Sequence, residues 1–191
     1  IAYPFSAATF FMDMVCALLF LTLLIKPLRD RSKLLFVMFC SLDRPEDRPL
    51  TLVWLYTQFI ASYLVLIPLL VYFESHDMLP LLMIIIIANG VGDGLAEPLG
   101  IRFGKRKYTT YALFTKEKYV RSYVGSACVF VTTFFAILAF QQYFNSTQLI
   151  VALITIPILI TLAEAFSPHT WDSPLIYAVG GVSMMSIVIF L

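Results

Sequence analysis

Apolar residues occupy this chain in long stretches separated by short polar connections. A helix crosses the hydrocarbon of a bilayer with about 20 mostly apolar residues. Six stretches approach or reach that length: residues 3–25, 50–73, 79–101, 119–140, 148–166 and 174–191. The run 34–40 is too short to cross and is expected to lie along the interface. Pro68 and Pro157 fall inside stretches, where buried neighbours can satisfy the backbone groups they free. The pattern predicts an all-α, polytopic transmembrane helical bundle of about six spans, forming a single integral membrane domain over residues 1–191. Numbering opens at Ile1 rather than Met, which leaves room for a preceding span or a removed leader.

Composition agrees. The chain is 60% hydrophobic and 13% charged, against roughly 25% charged in soluble domains. A net charge of +1 offers no reason to expect a nucleic-acid partner. Cys16, Cys40 and Cys128 form neither a CxxC pair nor an even-numbered framework, so neither zinc nor a disulfide scaffold is indicated. The basic residues are more telling. Lys26, Arg29, Arg31, Lys33, Arg44 and Arg48 fall between the first two stretches. Arg102, Lys105, Arg106, Lys107, Lys116, Lys118 and Arg121 fall between the third and fourth, and the connections 74–78 and 141–147 hold none. With six spans all thirteen lie on one side, which the positive-inside rule assigns to the cytoplasm or its equivalent.

Ionisable groups within membrane helices are costly and therefore functional suspects. The third stretch is the richest, reading Ala88-Asn89-Gly90-Val91-Gly92-Asp93-Gly94-Leu95-Ala96-Glu97-Pro98-Leu99-Gly100. Asn89, Asp93 and Glu97 are four apart and share a helix face, over roughly 12 Å. Gly90, Gly92 and Gly94 leave the helix thin or locally unwound, so a phosphate or metal can come close. Close helix packing would equally use such glycines. Arg102, Lys105 and Lys107 follow at once, and hard oxygen ligands beside cations suit Mg²⁺ with phosphates.

A second cluster ends the fifth stretch: Glu164, Ser167, His169 and Asp172. Glu164, His169 and Asp172 could complete a metal site, position a hydroxyl or take its proton; an ordinary turn between helices is the plainer interpretation. Lys118 and Arg121 are expected on one face of a helix start at the fourth stretch, with Ser122 beside them, for phosphate binding or interfacial anchoring. Asp13 is expected to face a bundle interior. The segment Asp43-Arg44-Pro45-Glu46-Asp47-Arg48-Pro49 reads as a solvated turn with local charge pairing, or as a phosphate contact through Arg44 or Arg48. His76 carries no evident chemistry.

Three segments resemble those of the phytol, farnesol and dolichol kinase group. Gly92-Asp93-Gly94-Leu95-Ala96-Glu97 through Gly100-Ile101-Arg102-Phe103-Gly104 resembles its GDG-x-A-(D/E)-x-x-G-x-(R/K)-(F/Y)-G segment. Arg121-Ser122-Tyr123-Val124-Gly125-Ser126 is similar to its K/R-S-x-x-G-S segment. Glu164-Ala165-Phe166-Ser167-Pro168 through Asp172-Ser173-Pro174-Leu175 is similar to its E-x-x-(S/P) turn followed by an Asp. Together they cover about the second half of the chain; the first half has no comparable match.

The resemblance implies a membrane kinase that moves the γ-phosphoryl of CTP, or a related nucleotide, onto a long-chain isoprenoid alcohol. Asp93 and Glu97 would hold Mg²⁺ or orient the hydroxyl, and Glu164 and Asp172 would join the catalytic set. Lys105, Lys107 and Arg121 would neutralise the triphosphate, with Asn89, Gly92, Gly94, Arg102, Lys118 and Ser122 around the nucleotide. Val124 stands where many relatives carry an acidic residue, and Pro98 follows Glu97, so the alcohol is not specified.

A phosphatidate cytidylyltransferase is the nearest alternative, distinguished by a CDP-lipid plus pyrophosphate as products. CDP-alcohol phosphotransferases begin similarly, but Glu97 occupies the place of their Arg. A non-enzymatic lipid transporter is the third class, although only one Gly-interrupted span is present where paired broken helices would be expected.

Overall fold

A computed structural model describes residues 6–43, 47–111, 118–168 and 171–191. It divides into two compact units, Ile1–Leu64 and Val65–Leu191, with the boundary inside one helix. The class is helical, as the apolar stretches predict.

In the first unit, α1 (Ala7–Leu23) begins at Ser6, which exchanges capping hydrogen bonds with Thr9. Such reciprocal caps satisfy donors that the first turn leaves open. A single turn, α2 (Lys26–Arg29), leads to α3 (Lys33–Leu42), which Ser32 caps through the Leu35 amide. Next comes α4 (Thr51–Ser75), which carries Pro68 internally and runs on into the second unit. Asp43 closes the turn before α4: it accepts from the Thr51 hydroxyl at 2.5 Å and from Arg48 Nε at 2.8 Å. The Thr51 hydrogen bond first, and then the Arg48 guanidinium, hold its carboxyl below the usual range. This is the local charge pairing expected of that segment; Arg44 lies outside the described residues. Asp13 departs from expectation. It is exposed on α1, whereas Leu21 of the same helix is buried.

The second unit is a bundle. A 25-residue helical run, Leu79–Phe103, consists of α5 (Leu79–Ile87), a π turn (Ala88–Asp93) and α6 (Gly94–Phe103). The glycine-rich stretch is thus widened rather than unwound. It packs on α7 (Tyr123–Ala139), followed by α8 (Ser146–Phe166) and α9 (Asp172–Phe190). Asn145 and Gln148 form a reciprocal cap at the start of α8. The core is mostly aliphatic: Leu81, Ile84, Ile85, Val129, Ile137, Ile156, Ile160, Ile176 and Met184 are fully enclosed, as is the ring of Phe73.

Between α6 and α7 lies a two-stranded antiparallel ladder, β1 (Lys107–Tyr111) and β2 (Lys118–Ser122), with Tyr108 opposite Arg121 and Tyr111 opposite Lys118. Here the sequence expectation is corrected: Lys118 and Arg121 do not begin a helix. Tyr119 and Val120 favour extended backbone, and α7 starts only after Ser122, whose hydroxyl caps it through the Gly125 amide at 3.0 Å.

Among the described residues, four helices are long and apolar enough to cross a membrane: Thr51–Ser75, Leu79–Phe103, Ser146–Phe166 and Asp172–Phe190. They correspond to four of the six expected spans. The helices within the other two stretches, α1 and α7, have 17 residues each. That is about 25 Å, somewhat short of a hydrocarbon core of about 30 Å.

Candidate functional site

Close approach of α6 to α7 organises the site. Gly92, Ala96 and Gly100 recur every fourth residue and are all buried, forming a strip of small residues that lets two helix backbones meet. A Cβ at Gly92 would lie 3.3 Å from the Val129 Cα and 3.4 Å from the Thr132 Cβ. One at Gly125 would lie 2.9 Å from the Ala96 carbonyl oxygen, and one at Gly100 would strike the Ser122 hydroxyl. Gly92 is therefore filled space. Gly90 and Gly94 differ, since a Cβ there meets nothing within 4 Å. The sequence treated the three glycines alike; packing separates them.

This separation has a measurable consequence. Gly94 has ordinary helical dihedrals, so Gly94→Ala is expected to stabilise by about 0.5–1 kcal/mol through reduced backbone entropy. Gly92→Ala presses on the α7 backbone and is expected to cost about 1 kcal/mol or more. Thermal unfolding of the two variants in the same detergent checks the contrast.

Asp93 and Glu97 sit one turn apart beside this strip. Asp93 is half-buried and Glu97 exposed, and both have helical neighbours, so the shared face expected for them holds. Asn89 turns elsewhere. Its side-chain amide donates to the Tyr177 hydroxyl of α9 at 2.8 Å, leaving its own buried oxygen without a partner. Among the described residues no three His, Cys, Asp or Glu side chains gather as a metal site. Mg²⁺ does not require that; one or two carboxylates with substrate oxygens and water suffice. The pair Asp93 and Glu97 fits such a donor set.

The second centre joins β2 to the end of α8. Residues three apart on a strand point to opposite faces, so Arg121 and Lys118 diverge. Arg121 turns inward and pairs with Glu164, Nη1 to Oε1, at 2.9 Å. Its Nη2 donates to the Glu164 carbonyl at 3.2 Å and to Ser167 Oγ at 3.1 Å. Its Nε is buried without a partner. Glu164 is only 3% exposed and also receives the Ser126 hydroxyl at 3.5 Å. Ser126 is hydrogen-bonded in turn to the Tyr108 hydroxyl at 2.5 Å, and the Thr110 hydroxyl donates to the Ala165 carbonyl at 2.8 Å. Burial raises the Tyr108 phenol above its ordinary pKa; the Ser126 hydrogen bond partly offsets this and the Glu164 carboxylate adds to it.

Asp172 opens α9 and accepts from the Ser173 amide at 3.0 Å, within electrostatic range of Glu164. His169 lies outside the described residues. Lys105, Lys107 and Lys118 are exposed. Lys118 rests on the outward face with its ammonium 5.1 Å from the Tyr111 ring centre. Lys107 is four ladder positions away, about 14 Å along the strands. Arg102 is exposed on α6, its guanidinium 5.3 Å from the Phe103 ring centre.

The structure therefore brings together Arg121 with Glu164, and Gly100 with Ser122. It does not bring Lys118 to Arg121 or to Lys107. Ser167, part of the second cluster, joins the network, and Tyr108 and Ser126 enter it without having been singled out as site residues. Tyr and Thr in Lys107–Tyr111 favour extended backbone, but the six residues before Lys118 contain no Gly or Pro to mark a hairpin turn, so no local signal pointed to Tyr108.

No family model matches the chain, and neither does any curated protein or solved structure. The likeness to the polyprenol kinase group rests on the three quoted segments alone.

Proposed function

We propose that this protein is a membrane kinase that transfers the γ-phosphoryl of CTP, or a related nucleotide, to a long-chain isoprenoid alcohol. One observation carries the proposal. The three segments that resemble the kinase group are distant in sequence, yet they converge in one unit. The α6 segment packs on the start of α7, and Arg121 beside that start is ion-paired with Glu164 at the end of α8. A chance likeness in three unrelated places would not require this convergence.

In this proposal six spans place the basic connections on the cytoplasmic or equivalent face, and the site opens there. Asp93 and Glu97 would hold Mg²⁺, which when bound neutralises charge on the transferred phosphoryl group. The open backbone at Gly94 gives phosphate oxygens room beside those carboxylates. Lys105, exposed just past α6, and Lys107, exposed at the start of β1, supply positive charge for the triphosphate. Glu164 meets the inner side of the hairpin at Arg121, with Asp172 within its electrostatic range, and a carboxylate there can orient the alcohol hydroxyl or accept its proton. The isoprenoid tail remains among the apolar helices.

Purified protein, Mg²⁺ and CTP labelled at the γ-phosphate are to be incubated with phytol, farnesol, dolichol and diacylglycerol. The expected product is one labelled lipid monophosphate with release of CDP. Absence of labelled lipid from every alcohol overturns the kinase proposal, and a CDP-lipid with pyrophosphate moves the protein to the cytidylyltransferase class. In the same assay Gly94→Ala should lose activity while gaining stability, because its new methyl group fills the room left for phosphate.

A further inference from the structure

We infer that the corner between α2 and α3 binds the headgroup of an anionic phospholipid. A cleft of about 510 Å³ opens there, lined by Arg29, Asp30, Ser32, Lys33, Phe36 and Val37. Residues 26–33 carry four basic side chains against one acidic. The Arg29 guanidinium lies over the Phe39 ring at 3.6 Å from its centre. Stacking of this kind occupies the flat face of the guanidinium and leaves its N–H edge, whose fork geometry matches phosphate oxygens. Asp43 is within electrostatic range of Arg29, but its oxygens are already committed to Thr51 and Arg48.

The walls of the cleft distinguish a lipid from a soluble anion. Helix α3 is apolar along most of its ten residues, and none of them is buried. Leu34, Phe36 and Val37 are 68%, 52% and 63% exposed. Ten residues extend about 15 Å, half the thickness of the hydrocarbon, so α3 cannot cross the bilayer and suits its interface. A phosphate held at Arg29 and Lys33 would send its acyl chains along Phe36 and Val37. Nucleotide or inorganic phosphate would leave those side chains uncovered. This site belongs to the first unit, shares no residue with the phosphoryl-transfer proposal, and does not depend on that chemistry.

The test uses the whole protein in nanodiscs of phosphatidylcholine with a minority of phosphatidylglycerol, followed by native mass spectrometry of the lipid that stays bound. Phosphatidylglycerol is expected to be enriched over its bulk fraction. Arg29→Gln combined with Lys33→Gln should reduce the enrichment about tenfold or more, as for two basic groups at an anionic surface. Lys33→Gln alone, at an exposed position that folding does not need, should give part of that loss. Equal retention of both lipids by the unaltered protein overturns the inference. So does undiminished enrichment in the double variant, displacement of the lipid by inorganic phosphate, or loss of enrichment on Lys105→Gln with Lys107→Gln instead.

Discussion

Replacing Arg121 by leucine is expected to destabilise the protein by about 3–5 kcal/mol, because it leaves a buried charge without its partner. Glu164 is 3% exposed, and once the guanidinium is gone its carboxylate keeps, among the described residues, the long Ser126 hydrogen bond at 3.5 Å. The tie between β2 and the end of α8 goes with it, since Arg121 also holds the Glu164 carbonyl and Ser167. Arg121→Lys should fall in between: an ammonium can reach the carboxylate but lacks the planar fork that serves three acceptors at once. Exchanging both Arg121 and Glu164 for leucine should recover much of the loss, as paired buried charges are often replaceable by apolar groups. Chemical or thermal unfolding in detergent measures all three. If the double exchange is as unstable as Arg121→Leu, the contacts to carbonyl and hydroxyl dominate, and the charge pairing does not.

The largest effect on activity is expected at Asp93. Asp93→Asn keeps size and shape while removing the charge, and phosphoryl transfer should fall by at least about a hundredfold, the scale for loss of one electrostatic contact to a transition state. Melting should barely change. A raised Mg²⁺ requirement in Glu97→Gln would accompany it if the two carboxylates share the ion. Full activity of Asp93→Asn would count against the kinase and the cytidylyltransferase together and favour the transporter class.

How far the sequence speaks depends on which force shapes each part. The long helices at 50–73, 79–101, 148–166 and 174–191 were legible because apolar length alone determines them. The hairpin was not. Lys118-Tyr119-Val120-Arg121-Ser122 runs straight into the apolar Tyr123–Ala139, so an apolar window extends across both, and only pairing with residues 107–111 selects the strand. That misplacement decides the chemistry: helical spacing puts Lys118 and Arg121 side by side, whereas strand alternation sends Arg121 in to Glu164. The candidate carboxylates Asp93 and Glu97 were readable from a spacing that survives in the folded chain. The unequal roles of Gly92 and Gly94 were not, since they depend on where α7 lies, which no local pattern encodes.

The π turn at Ala88–Asp93 bears on how this helix tolerates change in length. A π turn holds about one residue more than the α turn it replaces, so a one-residue deletion there that restored α geometry would leave everything after it nearly in place. The same deletion in α6, past the turn, has no such outlet: each α-helical residue advances the face by about 100°. Gly100 would then leave the α7 backbone and a larger neighbour would arrive in its place. The widened turn is therefore where this helix can lose a residue and keep its polar end in register.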